Sequence, residues 1–244
     1  MSIETLSTLM AQKWEEIIKT NPLIKLIQDG VADRRLYVMY LGETYHYASH
    51  NAKNQAIVAQ SLKPVHSREI NYMKYCLEHA LEETGHELMA YHDLKMAGLK
   101  VPLNELPTAL PATETFIAYL YHIAQNGNPV RRLGYSFWAE SSYKFFGQTM
   151  LLAAQNMKLS KAMMTFFSEH SDIDEKHAED VERMINLVCK TPEDYEAVAE
   201  VMLQTLSLTA DMLTAIAGEY QKVLRGESRW NKVFEAHGQE LNTL

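Results

Sequence analysis

Three residues in the run FFSEHSDIDEKHAED (166–180) are of the types that bind transition metals: His170, Asp174 and His177. On an α-helix, positions i, i+4 and i+7 fall within about 60° of one another and so share a face. Two imidazoles offer borderline nitrogen donors and the carboxylate a hard oxygen, a set suited to a transition ion. The spacing His-x3-Asp-x2-His is moderately specific alone. It becomes strong if other helices supply complementary ligands.

Two further stretches do. In YCLEHALEETGHELMAYHDL, His79 and His86 lie two helical turns apart, with Glu82 and Glu83 between them. Two core-adjacent histidines are the plain alternative for that pair. In GYSFWAESSYKFFGQ, Glu140 is surrounded by aromatic and small residues, Tyr135, Trp138, Ala139 and Phe146 among them. A carboxylate there should be partly buried, and burying an unpaired charge is costly. A metal would offset that cost; so would a salt bridge to Lys144, Arg131 or Arg132. Combined, His79, His86, Glu140, His170, Asp174 and His177 make six ligands, one carboxylate being free to bridge. That suits two iron or manganese ions inside a helical bundle. A two-histidine, one-carboxylate set further favours ferrous iron with positions open to dioxygen, the expected cosubstrate.

These ligands need long helices, and the chain is patterned for them. Its 244 residues carry 10 glycines and 7 prolines, which fall between periodic segments. Helices are expected over about 3–20, 23–28, 32–62, 67–97, 113–124, 130–156, 160–189 and 192–224. A proline-bearing loop covers 99–111. Thr191-Pro192-Glu193-Asp194 is a strong helix start, with an N-cap, a proline in the first turn and acidic residues after it. No alternating strand pattern is long enough to assign. The expected fold is a single all-α domain of about seven helices over residues 1–226, followed by a polar tail, 227–244, that is loose or serves as a partner-binding arm.

Composition narrows the classes of function. Hydrophobic residues are 47% and charged residues 22%, ordinary for a globular chain. A net charge of −8 without a basic run argues against a nucleic-acid partner. No uninterrupted apolar run reaches 18 residues and no basic leader opens the chain, so a cytoplasmic protein without a membrane span is expected. Two cysteines, Cys76 and Cys189, form no disulfide framework.

With those residues in place, the pattern resembles the heme-oxygenase-like diiron oxidases, in the branch that includes the CADD-like proteins (the chlamydial protein associating with death domains). Their scaffold is shared with thiaminase-II-like and pyrroloquinoline-quinone-synthase-like proteins. The resemblance covers about residues 21–220. It implies a heme-oxygenase-like bundle in which His86 is the first-helix histidine, Glu140 the bridging glutamate, and His170, Asp174 and His177 the third-helix triplet. Many family members have Glu where this chain has His79, so His79 is taken as the ligand and Glu83 held in reserve. The resemblance implies oxygen activation at two Fe2+ ions and oxidation of a small amine, amino acid or fatty acid, with catalysis resting on Glu140, His170 and Asp174. An external electron donor fits such a reaction, and bundles of this kind pair as homodimers.

A second polar stripe, Glu43, His46 and His50 in GETYHYASHNAKN, has i, i+3, i+7 spacing. It would either line the substrate cavity or form a structural polar face. Two rival readings stay open: a metal-independent enzyme of the thiaminase-II or quinone-synthase type, and a non-enzymatic interaction protein.

Overall fold

The computed structural model describes residues 2–242, less the side chains of 169–175, 240 and 242. Its elements are α1 (Ile3–Thr20), α2 (Pro22–Gln28), α3 (Arg34–Ala48), α4 (Asn51–Ser61), α5 (Ser67–Glu82) and α6 (Glu87–Met96), then α7 (Pro111–Gln125), α8 (Leu133–Ala139), α9 (Tyr143–Asn156), α10 (Thr165–Val188), α11 (Pro192–Arg225) and α12 (Arg229–His237). No strand occurs among the described residues. The chain is all-α, with more helical segments than the seven or so expected.

The surplus comes from α12, within the expected tail, and from three interruptions. The spans expected as single helices over 32–62, 67–97 and 130–156 are each divided: at Ser49–His50, at residues 83–86 and at residues 140–142. At the first, the Ser49 hydroxyl donates to the Tyr45 carbonyl at 2.6 Å; at the second, the Thr84 hydroxyl donates to the Ala80 carbonyl at 2.9 Å. Such back-bonding competes with the helical ladder and bends it. Gly85 adds a φ of +97°, a conformation that side chains disfavour. At the third, Glu140 and Ser142 keep right-handed backbone angles, so the axis turns without leaving the helical region.

The long helix α11 is the spine. It opens on the expected capping box of Thr191 and Asp194 and closes at Gly226, whose φ is +74°. Its apolar face, including Met202, Leu206 and Ile216, is buried among α1, α2, α3, α7 and α8. Helix α8 approaches it closely: a Cβ on Gly134 would lie 2.1 Å from the Val198 carbonyl oxygen. The Trp138 indole then donates to the Thr205 hydroxyl at 2.7 Å. Together these contacts fix where α8 ends, and Glu140 is its C-cap.

The segment after Gly226 is not a loose arm. Ser228 caps α12, and Trp230 is buried to 1% exposure with its ring against Gly42 of α3. The hydrophobic pull of one indole outweighs the polar composition around it.

Candidate metal centre

Four side chains from three helices converge inside the bundle. His79 lies on α5 and Glu83 is that helix's C-cap; Glu140 caps α8; His177 lies on α10. One ligand atom from each falls within 4.8 Å of the others, and all four residues are buried. The His79 Nε2 is 3.2 Å from Glu140 Oε1, and the His177 Nδ1 is 3.4 Å from Glu140 Oε2. Glu140 thus lies between two imidazoles, and Lys144, Arg131 and Arg132 are not its partners among the described contacts. Helix α10 reaches this place by packing on α5, α6 and α8.

The electrostatics are those of a place made for a cation. Two carboxylates, Glu83 and Glu140, are each 8% exposed and stand in one cluster. Both occupy helix C-caps, where the helix dipole disfavours negative charge. Burial alone would push Glu140 up, but the neighbouring His177 and His79 outweigh it and hold the carboxyl down at about 2. Burial likewise opposes ionisation of Glu83, yet His86 beside it, Nδ1 to Oε1 3.2 Å, brings it below the ordinary value. His177 is raised by hydrogen bonding to Glu140. Both ring nitrogens of the buried His79 lack hydrogen-bond geometry to any described group. Two buried imidazoles facing two ionised carboxylates, one of them (His79) paired with Glu140 only by charge and not by good hydrogen-bond geometry, are a donor set that iron or manganese takes. The described residues fit a metal.

The expected ligands are distributed as follows. His79, Glu140 and His177 are in the cluster, and so is Glu83, which the spacing argument held in reserve. His86, at the N-cap of α6, pairs with Glu83 at the rim of the cluster. The side chains of His170 and Asp174 lie outside the described residues. Sequence reasoning gave Glu82 no role; its Oε2 is 3.4 Å from the outer nitrogen, Nε2, of His177.

The second polar stripe is placed elsewhere. Glu43 accepts from the Leu110 amide at 3.0 Å and the Thr113 hydroxyl at 2.5 Å, so it caps the start of α7. His46 Nε2 meets the Pro107 carbonyl at 2.8 Å, and His50 Nδ1 the Tyr121 hydroxyl at 2.8 Å. These contacts fasten the 99–111 loop and α7 to α3. The cavity beside the cluster, about 120 Å³, is lined from α3 and α4 by Tyr37, Tyr40, Leu41, Tyr47, Ala48 and Asn51 instead. Its remaining wall includes Glu83, His86, Tyr135, Trp138, Glu140 and Phe146. Residues of the second and third interruptions, Glu83, His86, Glu140 and Ser142, line it, and Ala48 and Asn51 flank the first.

A family described as an iron-containing redox enzyme matches residues 12–210. The chain belongs to that family. Among solved structures, this iron-containing redox enzyme relative is similar to a domain of unknown function with a heme oxygenase-like fold from Shewanella denitrificans: 42% identity, 94% of this chain and 97% of that one, TM-score 0.88. A TenA homolog from Pseudomonas syringae shares the fold at 11% identity, covering 87% and 91% of the two chains with a TM-score of 0.72. A CADD-like protein of unknown function from Nostoc punctiforme does so at 13% identity, covering 88% and 98%, TM-score 0.65. No curated protein matches the sequence. The redox family therefore has here a heme-oxygenase-like bundle with a His/Glu cluster at its centre.

Proposed function

We propose that the chain is a non-heme diiron oxidase or oxygenase that oxidises a small organic molecule held beside the metals. The observation that carries this reading is the buried meeting of His79, Glu83, Glu140 and His177 within 4.8 Å. The family's description as an iron-containing redox enzyme supports it. His86, paired with Glu83, and His170 and Asp174 on α10 would complete the ligand set. Two ferrous ions, when bound, would supply the electrons and open coordination positions that dioxygen needs.

The chain's own residues do the rest. Glu140, with one oxygen toward His79 and the other toward His177, is the residue that would bridge two such ions. Burial of both carboxylates keeps water from competing for the ions and strengthens every charge interaction there. The aromatic wall of Tyr47, Tyr135, Trp138 and Phe146 excludes solvent from the reacting end of the cavity. Asn51, Ser142 and the tyrosines of the lining, Tyr40, Tyr47 and Tyr143 among them, are neutral polar residues available to orient a substrate.

A thiol-based mechanism has less support. Burial pushes the Cys76 and Cys189 thiols up to about 12, and neither lines the cavity. A nucleophilic cysteine needs the opposite shift.

Anaerobic titration of metal-free protein with ferrous iron tests the proposal. Two equivalents bound, lost in Glu140→Ala, with oxygen consumed on mixing, is the expected result. Absence of tight iron binding would sink it.

A further inference from the structure

The rings of His79 and His177, with centroids 5.3 Å apart, have two sides. One side meets Glu140, which lines the aromatic cavity. The other borders a groove of about 680 Å³ between α5 and α10. The two helices run antiparallel along it. Glu82 meets His177, and Tyr75, two turns earlier on α5, lies within reach of the charge of Asp180, one turn later on α10. That register sets Glu78, Glu82 and Asp180 at the end nearest the imidazoles, and Lys74 and Arg183 farther out.

We propose that this groove is the route by which divalent ions reach the buried cluster, leaving the aromatic cavity to the substrate. The inference rests on the metal-centre reading for where the route leads.

Room, chemistry and charge favour the groove over the cavity. It is several times larger than the 120 Å³ cavity, and its carboxylates and the amides of Asn71 and Asn186 can replace waters that an entering ion sheds. The cavity offers mostly aromatic rings on the way in, and carrying a partly dehydrated ion past them is costly. At the inner end of the groove stands His79, 5% exposed, whose ring nitrogens no hydrogen bond occupies among the described residues. An ion leaving Glu82 therefore meets imidazole donors next. Asp180 is offset by Arg183 at 2.7 Å, so Glu78 and Glu82 carry the attraction, and Lys176 is the lining cation that opposes it near His177.

Stopped-flow mixing of the metal-free full chain with Co2+, followed by the visible absorbance of the bound ion, tests the route. Glu82 also touches His177, so the charge is changed at Glu78 and Lys176, both exposed. Glu78→Lys should slow association at least about five-fold at low salt, and Lys176→Gln should speed it. Both effects should fade as salt rises, with cobalt stoichiometry and final spectrum as in wild type. Lys144→Glu, on the other side beside the cavity-lining Tyr143, should leave the rate unchanged. Rates unmoved by Glu78→Lys and Lys176→Gln, or moved only by Lys144→Glu, overturn the groove as the route while the metal centre stands. A wild-type chain that binds no cobalt overturns both.

Discussion

The imidazole of His177 lies between two carboxylates, its Nδ1 3.4 Å from Glu140 and its Nε2 3.4 Å from Glu82. Glu140 is buried and Glu82 half-exposed, so the ring spans the cluster from its interior to its outer edge. A histidine whose inner nitrogen binds metal is commonly oriented by a carboxylate on its outer N–H. Glu82→Ala should therefore weaken metal affinity by about ten-fold or more without a matching loss of stability. Glu82→Gln, which can still accept that hydrogen bond, should recover most of it. Competition titration against a chelator reads both. Equal affinity in wild type and Glu82→Ala would remove the orienting role.

Glu140 is expected to be indispensable for a different reason. Its charge is compensated by His79 and His177 in the metal-free chain and would be shared by ions in the loaded one. Glu140→Gln keeps the volume but removes the bridging anion. It should lower ferrous stoichiometry while leaving the fold intact, as judged by circular dichroism and thermal unfolding. Two ions still bound with unchanged affinity would show that the bridge is elsewhere.

Asp93 of α6 holds the start of α10. It is fully buried and accepts from the Thr165 hydroxyl at 2.6 Å and the Phe166 amide at 2.8 Å. The residue before α10, Met164, offers no cap of its own. Asp93→Ala should cost about 1–2 kcal/mol, the usual worth of an N-cap, and should speed hydrogen exchange at the first α10 amides. Asp93→Asn retains an acceptor and should be milder. If exchange there is unchanged in Asp93→Ala, the cross-helix cap does not control α10.

Much of this arrangement could be read from residue spacing. The helical character of the chain, its caps at Thr191 and Gly226, and the convergence of His79, Glu140 and His177 followed from periodicity and buried-charge arguments. What escaped was the breaking of three helices around the cavity. Ser49 and Glu140 bend their helices within right-handed backbone angles, so no glycine or proline marks the place. Only Thr84–Gly85 carried a local signal. Glu83 lies four residues after His79 and so shares its face by ordinary helical spacing, its amide still bonded to the His79 carbonyl at 2.9 Å; the turn at Gly85 comes after it. Glu43, His46 and His50 show the converse limit. Their shared face was legible, but a face does not say whether it meets a cavity or a loop, and here it meets the 99–111 segment.

Both thiols should be silent in the folded protein. Burial pushes Cys76 and Cys189 up to about 12, whereas an unfolded cysteine titrates near about 8.5. A thiol reagent at neutral to mildly alkaline pH should find none in the native chain and both after unfolding. The sign of the stability effect follows. A group raised in the folded state contributes fully below its unfolded value, and the contribution is lost as pH rises through the folded one. Stability should thus fall from about pH 8.5 toward 12, and replacing Cys76 by Ala should flatten part of that fall. Rapid modification of native Cys76 would contradict its burial and reopen the thiol mechanism.

The C-terminal helix should prove necessary for the fold. Trp230 fills the space above Gly42, whose missing side chain leaves room for the indole: a Cβ there would lie 2.9 Å from Trp230 Cη2. Next to it, Arg229 donates to the hydroxyl and carbonyl of Thr108, tying α12 to the loop that Glu43 and His46 also hold. Trp230→Ala should cost about 3–5 kcal/mol, as for other buried aromatic truncations, and Gly42→Ala should destabilise through the same contact from the opposite side. The double variant should cost less than the sum of the two, because each change disrupts one shared interface. Denaturant unfolding of the four proteins measures this coupling. Strict additivity, or a Trp230→Ala protein as stable as wild type, would mean that α12 is an appendage after all.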